Sequence, residues 1–155
     1  MKILQRIYLI CICSLLCFAV NGQDISGEWN GIITQDGGGI ANQYYFSLNI
    51  KQEGNKITGF SKVELYHNDK RIMYARKSLV GEFKGKKLLF KETGIIEQKM
   101  VMTTNLCLIQ AKLDFVFDKG ALCLIGTWGG KTVDNVVCST GKIKVCSIIP
   151  IATAE

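Results

Sequence analysis

Proline is almost absent: Pro150 is the only one in 155 residues. That excludes a proline-rich linker or a collagen-like segment. Histidine is as scarce, with His67 alone, and no two cysteines stand in CxxC spacing. A Cys/His metal centre therefore has no local motif to rest on, and a dithiol redox site lacks its usual spacing. Asp36-Gly37-Gly38-Gly39 is not followed by Gly-Lys-Ser/Thr, so it is no phosphate loop. Charged residues make up only 21% against 48% apolar ones, which excludes a disordered chain. No sustained helical stripe runs through the chain beyond the first 22 residues.

What is present begins with a leader pattern. Lys2 and Arg6 are the only charges before residue 23, and Ile7 to Val20 is an almost unbroken apolar run. A basic start, a short apolar run and a small-residue exit at Gly22 describe a signal peptide over residues 1–22. The run is shorter than the roughly 20 residues of a spanning helix. Cys17 has no small residue just before it, which argues against a lipoprotein cut. Cleavage leaves one domain, residues 23–155, and no transmembrane segment. Loss of Lys2 and Arg6 lowers the formal charge from +6 to +4. That is too mild to argue for nucleic acid. Four cysteines remain, Cys107, Cys123, Cys138 and Cys146. An even number in an exported chain favours disulfides over metal. A secreted or periplasmic location follows.

Period-two alternation repeats along the remaining chain, the signature of half-buried strands. Eight such runs carry Ile25/Trp29/Ile33, Tyr44/Phe46/Leu48/Ile50, Ile57/Val63/Leu65, Met73/Ala75/Leu79/Phe83, Leu88/Phe90, Ile109/Ala111/Leu113/Phe115/Phe117, Leu122/Leu124/Trp128 and Ile143/Val145/Ile149 on one face. Glu97 to Leu106 is a strand extension or a loop, and Gly129 to Gly141 reads as a polar loop. Gly54-Asn55, Gly85-Lys86 and Lys119-Gly120 lie between successive runs and suit two-residue hairpin turns. With those turns, Phe46 faces Val63, Phe83 faces Leu88, and Phe115 faces Leu124. Each turn thus brings apolar sets to the same side, whereas a one-residue slip would bury the polar sets. Short links predict an all-β, antiparallel up-and-down barrel of about eight strands, with a two-sheet sandwich as the competing layout.

Gly27-Glu28-Trp29 on the first strand, followed by Phe46 through Gly54-Asn55-Lys56-Ile57-Thr58-Gly59, resembles the lipocalin and avidin superfamily, the calycins. The chain also resembles small secreted lipocalin-like proteins of Gram-negative bacteria. The resemblance implies a barrel whose first Trp plugs one end. It does not imply biotin binding, because Phe60 follows Gly59 and only two Trp are present.

Candidate binding residues follow from the inward face. Trp29, Tyr44, Phe46, Leu65, Phe83, Phe90, Phe115, Leu124 and Trp128 either line a pocket for a small hydrophobic ligand or fill a dry core. Gly27, Gly31, Gly59, Gly81 and Gly126 share that face and either open the pocket or bend the strands, with bending favoured. A register setting Glu64 opposite Arg76 would put Gly59 opposite Gly81. With Leu124 facing Val145, Cys123 and Cys146 stand opposed, leaving Cys107 to pair with Cys138. Four cysteines permit three connectivities, so this pairing is a preference. His67 reads as a solvated turn residue, and Lys84, Lys86, Lys87 and Lys91 as a solvated hairpin. No acid–base or metal constellation stands out, so the expectation is a non-enzyme without a cofactor. Its alternative role is a protein- or glycan-interaction or inhibitor module, with a cell-surface protein or glycan as partner.

Overall fold

A computed structural model describes residues 23–37, 39–100 and 106–147. The expected leader, Ile149 of the eighth run and residues 101–105 of the Glu97 to Leu106 stretch lie outside these residues. Eight strands follow in chain order: β1 Gly27–Thr34, β2 Gln43–Glu53, β3 Lys56–His67, β4 Lys70–Lys84, β5 Lys87–Met100, β6 Cys107–Asp118, β7 Ala121–Thr132 and β8 Gly141–Ser147. Each pairs antiparallel with the next, and β1 also pairs with β8. The sheet is therefore a closed up-and-down barrel rather than a sandwich. Closure removes both sheet edges, which would otherwise present unpaired backbone groups.

The turns set the registers. Gly54, Gly85, Lys119 and Gly120 have positive φ, as tight hairpins require. Glu53 accordingly faces Lys56, Lys84 faces Lys87, and Asp118 faces Ala121. These three hairpins gather at one end of the barrel. At the opposite end lie the Asn68-Asp69 turn, the 35–42 loop and the 133–140 loop.

The third-to-fourth strand register departs from expectation. Glu64 faces Tyr74 rather than Arg76, and Gly59 faces Leu79 rather than Gly81. Two local features cause this. Asn68 and Asp69 both take positive φ and form a two-residue turn that sets His67 against Lys70. A bulge between Leu65 and Tyr66 then shifts the ladder. Glu64 pairs instead with Arg71, whose Nη1 donates to Oε1 at 2.8 Å. Two further irregularities flank Gly94, where β5 bends against β4. β7 runs on to Thr132, into the stretch expected as loop. Phe117, expected on the inner face, lies at the hairpin end of β6 and is 71% exposed.

The inner face is a continuous apolar core from Ile25 through Val145. The outer face carries the ion pairs Lys51–Glu53, Lys87–Asp114 and Lys144–Asp118. Apolar inside and charged outside is the reverse of a membrane-spanning barrel. Among the described residues no helix is long and apolar enough to cross a membrane.

Gly31, Gly59, Gly81 and Gly126 act at close strand approaches, whereas Gly27 is exposed and a Cβ there would meet open space. A Cβ on Gly31 would lie 2.1 Å from the Lys144 carbonyl oxygen, and one on Gly126 2.0 Å from that of Lys112. Gly81 stands in the same relation to Leu89. At these points one strand folds over its neighbour's backbone, so the glycines serve curvature rather than cavity space. Because a closed ring leaves no edge strand free to move aside, Gly31→Ala should cost about 1–3 kcal/mol. Gly94→Ala, whose Cβ would meet nothing nearer than 3.6 Å, should stay within about 0.5 kcal/mol. Urea unfolding of the two variants beside the parent checks this contrast.

Candidate ligand-binding cavity

The barrel's two halves are filled differently. Towards the three-hairpin end the core is solid. Trp29 meets Phe115 edge-on at 5.9 Å between ring centroids, and Phe83 meets Phe115 at 6.1 Å. Trp29 Nε1 donates to the Ile25 carbonyl at 3.0 Å, so its one polar group is satisfied within the plug. Phe90 and Leu124 are buried in the same core, whereas Leu65, paired with Met73 near the Asn68-Asp69 turn, lies half-buried at the other end.

Towards the loop end the side chains do not meet. They leave a cavity of about 520 Å³ walled by Ile33, Tyr44, Phe46, Val63, Met73, Ile109 and Trp128. Of the aromatic and aliphatic residues singled out from sequence, Tyr44, Phe46 and Trp128 line this space. Trp29, Leu65, Phe83, Phe90, Phe115 and Leu124 do not. Trp128 Nε1 donates to the Thr34 carbonyl at 2.8 Å, which holds the indole against the wall.

Two loops frame the mouth. Gln35, Gly37, Gly39 and Ile40 contribute from one side, and Val137, Cys138 and Ser139 from the other. The loops are tied together: Asp36 N–H donates to the Thr140 carbonyl at 2.9 Å, and Thr140 Oγ1 donates to Asp36 Oδ2 at 2.8 Å. A disulfide joins Cys107 at the start of β6 to Cys138 in the second loop. The other, Cys123–Cys146, bridges directly opposed residues of β7 and β8. Both pairings match the preferred connectivity. Ile40, Val133, Val136 and Val137 are exposed around this rim.

One feature of the cavity is charged. Lys77 reaches its wall yet is only 4% exposed. Its Nζ donates to Glu92 Oε2 at 2.8 Å and to the Cys107 carbonyl at 2.8 Å. Glu92 Oε2 also accepts the Ile109 N–H at 2.9 Å, and Oε1 accepts from the Ser61 hydroxyl. The cause lies in the sheet. Among the described residues the β5–β6 ladder runs only from Lys87/Asp114 to Lys91/Gln110. Beyond it the strands separate, leaving backbone groups of Cys107 and Ile109 without β5 partners. Buried backbone groups must be satisfied, and the two side chains supply what the ladder does not. Sequence reasoning passed over these residues, although the signal is there. Ser61, Lys77 and Glu92 all occupy inward positions of their alternating strands, and Ser61 faces Lys77 directly.

Comparison with protein-family models and with curated protein sequences gives no match. The closed eight-stranded barrel is compatible with a lipocalin-like layout.

If the ion pair stands in for a ladder, removing both charges should not be neutral. Lys77→Met alone leaves a buried carboxylate unbalanced and should cost about 3–5 kcal/mol. The double variant Lys77→Met/Glu92→Leu relieves that imbalance but strands the Cys107 carbonyl, the Ile109 amide and the Ser61 hydroxyl, at about 1–3 kcal/mol each. It should therefore remain at least about 2 kcal/mol below the parent, with faster hydrogen exchange at the Ile109 amide. A double variant as stable as the parent would show that the pair balances only itself.

Proposed function

We propose that this protein is an exported, non-catalytic carrier or receptor that holds a small, mostly hydrophobic molecule at the loop end of its barrel. The cavity carries this reading. It lies at the loop end of a barrel whose other end is filled by Trp29, Phe83 and Phe115, and its volume of about 520 Å³ lies within the range of ligand pockets, roughly 300–1,000 Å³. Its walls are apolar and aromatic, and Ile40 and Val137 continue that character to the rim. Gln35 and Ser139 add polar groups at the same mouth, and the apolar way in runs along Ile40 and Val137.

Export is supported by the basic-then-apolar pattern of residues 1–22. The two disulfides support it further, since such bonds persist in oxidising compartments. The lipocalin-like relationship belongs to the same reading, on the Gly27-Glu28-Trp29 strand and the closed barrel. The interaction-module alternative draws on the exposed Val133, Val136 and Val137. The cavity beneath them favours the ligand reading.

Protein recovered from an exported fraction should begin at Gln23. It should also take up a neutral hydrophobic fluorophore such as N-phenyl-1-naphthylamine, with enhanced emission. Val63→Phe, which adds bulk to the cavity wall, should weaken that uptake at least about tenfold while the fold persists by circular dichroism. The same loss from Leu124→Met, a change within the filled half, would place the probe elsewhere and overturn the reading.

A further inference from the structure

The buried part of the cavity wall is one-sided in its hydrogen-bonding capacity. A lysine ammonium has three N–H donors. Lys77 spends one on Glu92 and one on the Cys107 carbonyl, and the third has no partner among the described residues. Glu92 is spent differently: one oxygen takes the Ser61 hydroxyl, and the other takes Lys77 and the Ile109 amide. Tyr44 adds a second donor, because its hydroxyl oxygen accepts from the Ala41 amide while its own O–H finds no acceptor among the described residues. The unspent groups of the buried wall, one Lys77 N–H and the Tyr44 O–H, are therefore donors, and the acceptor-bearing lining side chains, Gln35, Thr132 and Ser139, sit in its half-buried part.

Charge narrows the choice further. Lys77 is the one charged side chain among the described lining residues, and its charge is already balanced by Glu92. A group accepting the third N–H would sit about 4–5 Å from Glu92 Oε2, given tetrahedral donors and ordinary hydrogen-bond lengths. For a ligand carboxylate, repulsion from Glu92 cancels about three-fifths of the attraction to Lys77. The carboxylate also gives up its hydration on burial. A neutral carbonyl keeps the charge-assisted hydrogen bond and loses far less.

We propose that the Lys77–Glu92 pair makes the cavity selective for apolar molecules that carry a neutral hydrogen-bond acceptor, such as an ester, ketone or amide carbonyl, over free carboxylates and plain hydrocarbons. This rests on the ligand-binding reading above. The test uses the parent protein with its disulfides intact, at a pH where carboxylates are ionised. Methyl dodecanoate, dodecanoate and dodecane compete for bound N-phenyl-1-naphthylamine. The ester should bind about tenfold or more tighter than either of the others. In the infrared, the carbonyl stretch of bound carbon-13-labelled ester should fall below its position in hexane. Dodecanoate binding as tightly as the ester, dodecane doing so, or an unshifted carbonyl stretch would overturn the selectivity and leave the binding reading standing. If the probe does not bind, or none of the three displaces it, the binding reading falls and the selectivity falls with it.

Discussion

The separation of β5 from β6 is the constraint on which the upper half of this barrel depends. A closed eight-stranded barrel normally satisfies its backbone through continuous ladders. Here the β5–β6 ladder stops at Lys91 and Gln110, and the exposed seam would leave Cys107 and Ile109 with unmet backbone groups. An apolar patch cannot seal such a seam, because it offers neither donor nor acceptor. Lys77 supplies the donor and Glu92 the acceptor. A buried ion pair is ordinarily weak evidence for stability, since apolar side chains of similar size often do as well. At this seam they would not, and that difference explains why two charges sit inside an apolar barrel.

The cavity opens at the same end of the barrel as this separation. Strands that diverge carry their inward side chains apart, so the residues at the loop end cannot interlock as Trp29, Phe83 and Phe115 do at the other. The mouth must then be held by something other than ladder bonds. The Cys107–Cys138 disulfide attaches the 133–140 loop to the start of β6, next to the Lys77 contact at the Cys107 carbonyl. Asp36 and Thr140 tie that loop to the opposite one. Cross-links thus stand where pairing ends.

Most of the architecture was legible in the sequence because it rests on local rules. Alternation placed Phe46, Phe115 and Leu124 inward. The Gly54-Asn55, Gly85-Lys86 and Lys119-Gly120 turns then fixed their registers without any long-range information. The Glu64–Arg76 pairing failed because the two-residue Asn68-Asp69 turn starts the ladder at His67/Lys70, and the bulge at Leu65/Tyr66 then moves it by only one residue, to Glu64/Tyr74. Phe117 obeyed the alternation but lies past the point where the barrel interior ends. The site was harder to read. Tyr44, Phe46 and Trp128 belong to the same inward set as the core residues, and only the strand divergence separates wall from filling. Lys77 and Glu92 were visible as charges at inward positions. Their meaning needed the strand separation, which joins residues 15 apart in the chain to backbone 17 to 30 residues further on.

The two tryptophans show how one residue type serves both ends. Each buries an indole and satisfies its N–H with a backbone carbonyl, Trp29 with Ile25 and Trp128 with Thr34. The difference lies in what faces the ring. Trp29 meets Phe115 and contributes to a dry plug, whereas Trp128 faces open volume. An indole held this way is a rigid wall, with no polar group left to turn towards a ligand. On the proposed ligand-binding reading, hydrogen bonding from the buried wall falls to the donors of Lys77 and Tyr44, while Trp128, Phe46 and Ile109 supply apolar contact. Rigidity at the plug and at the seam keeps that division in place, because neither the aromatic packing nor the ion-pair network can relax into the cavity without breaking its own contacts.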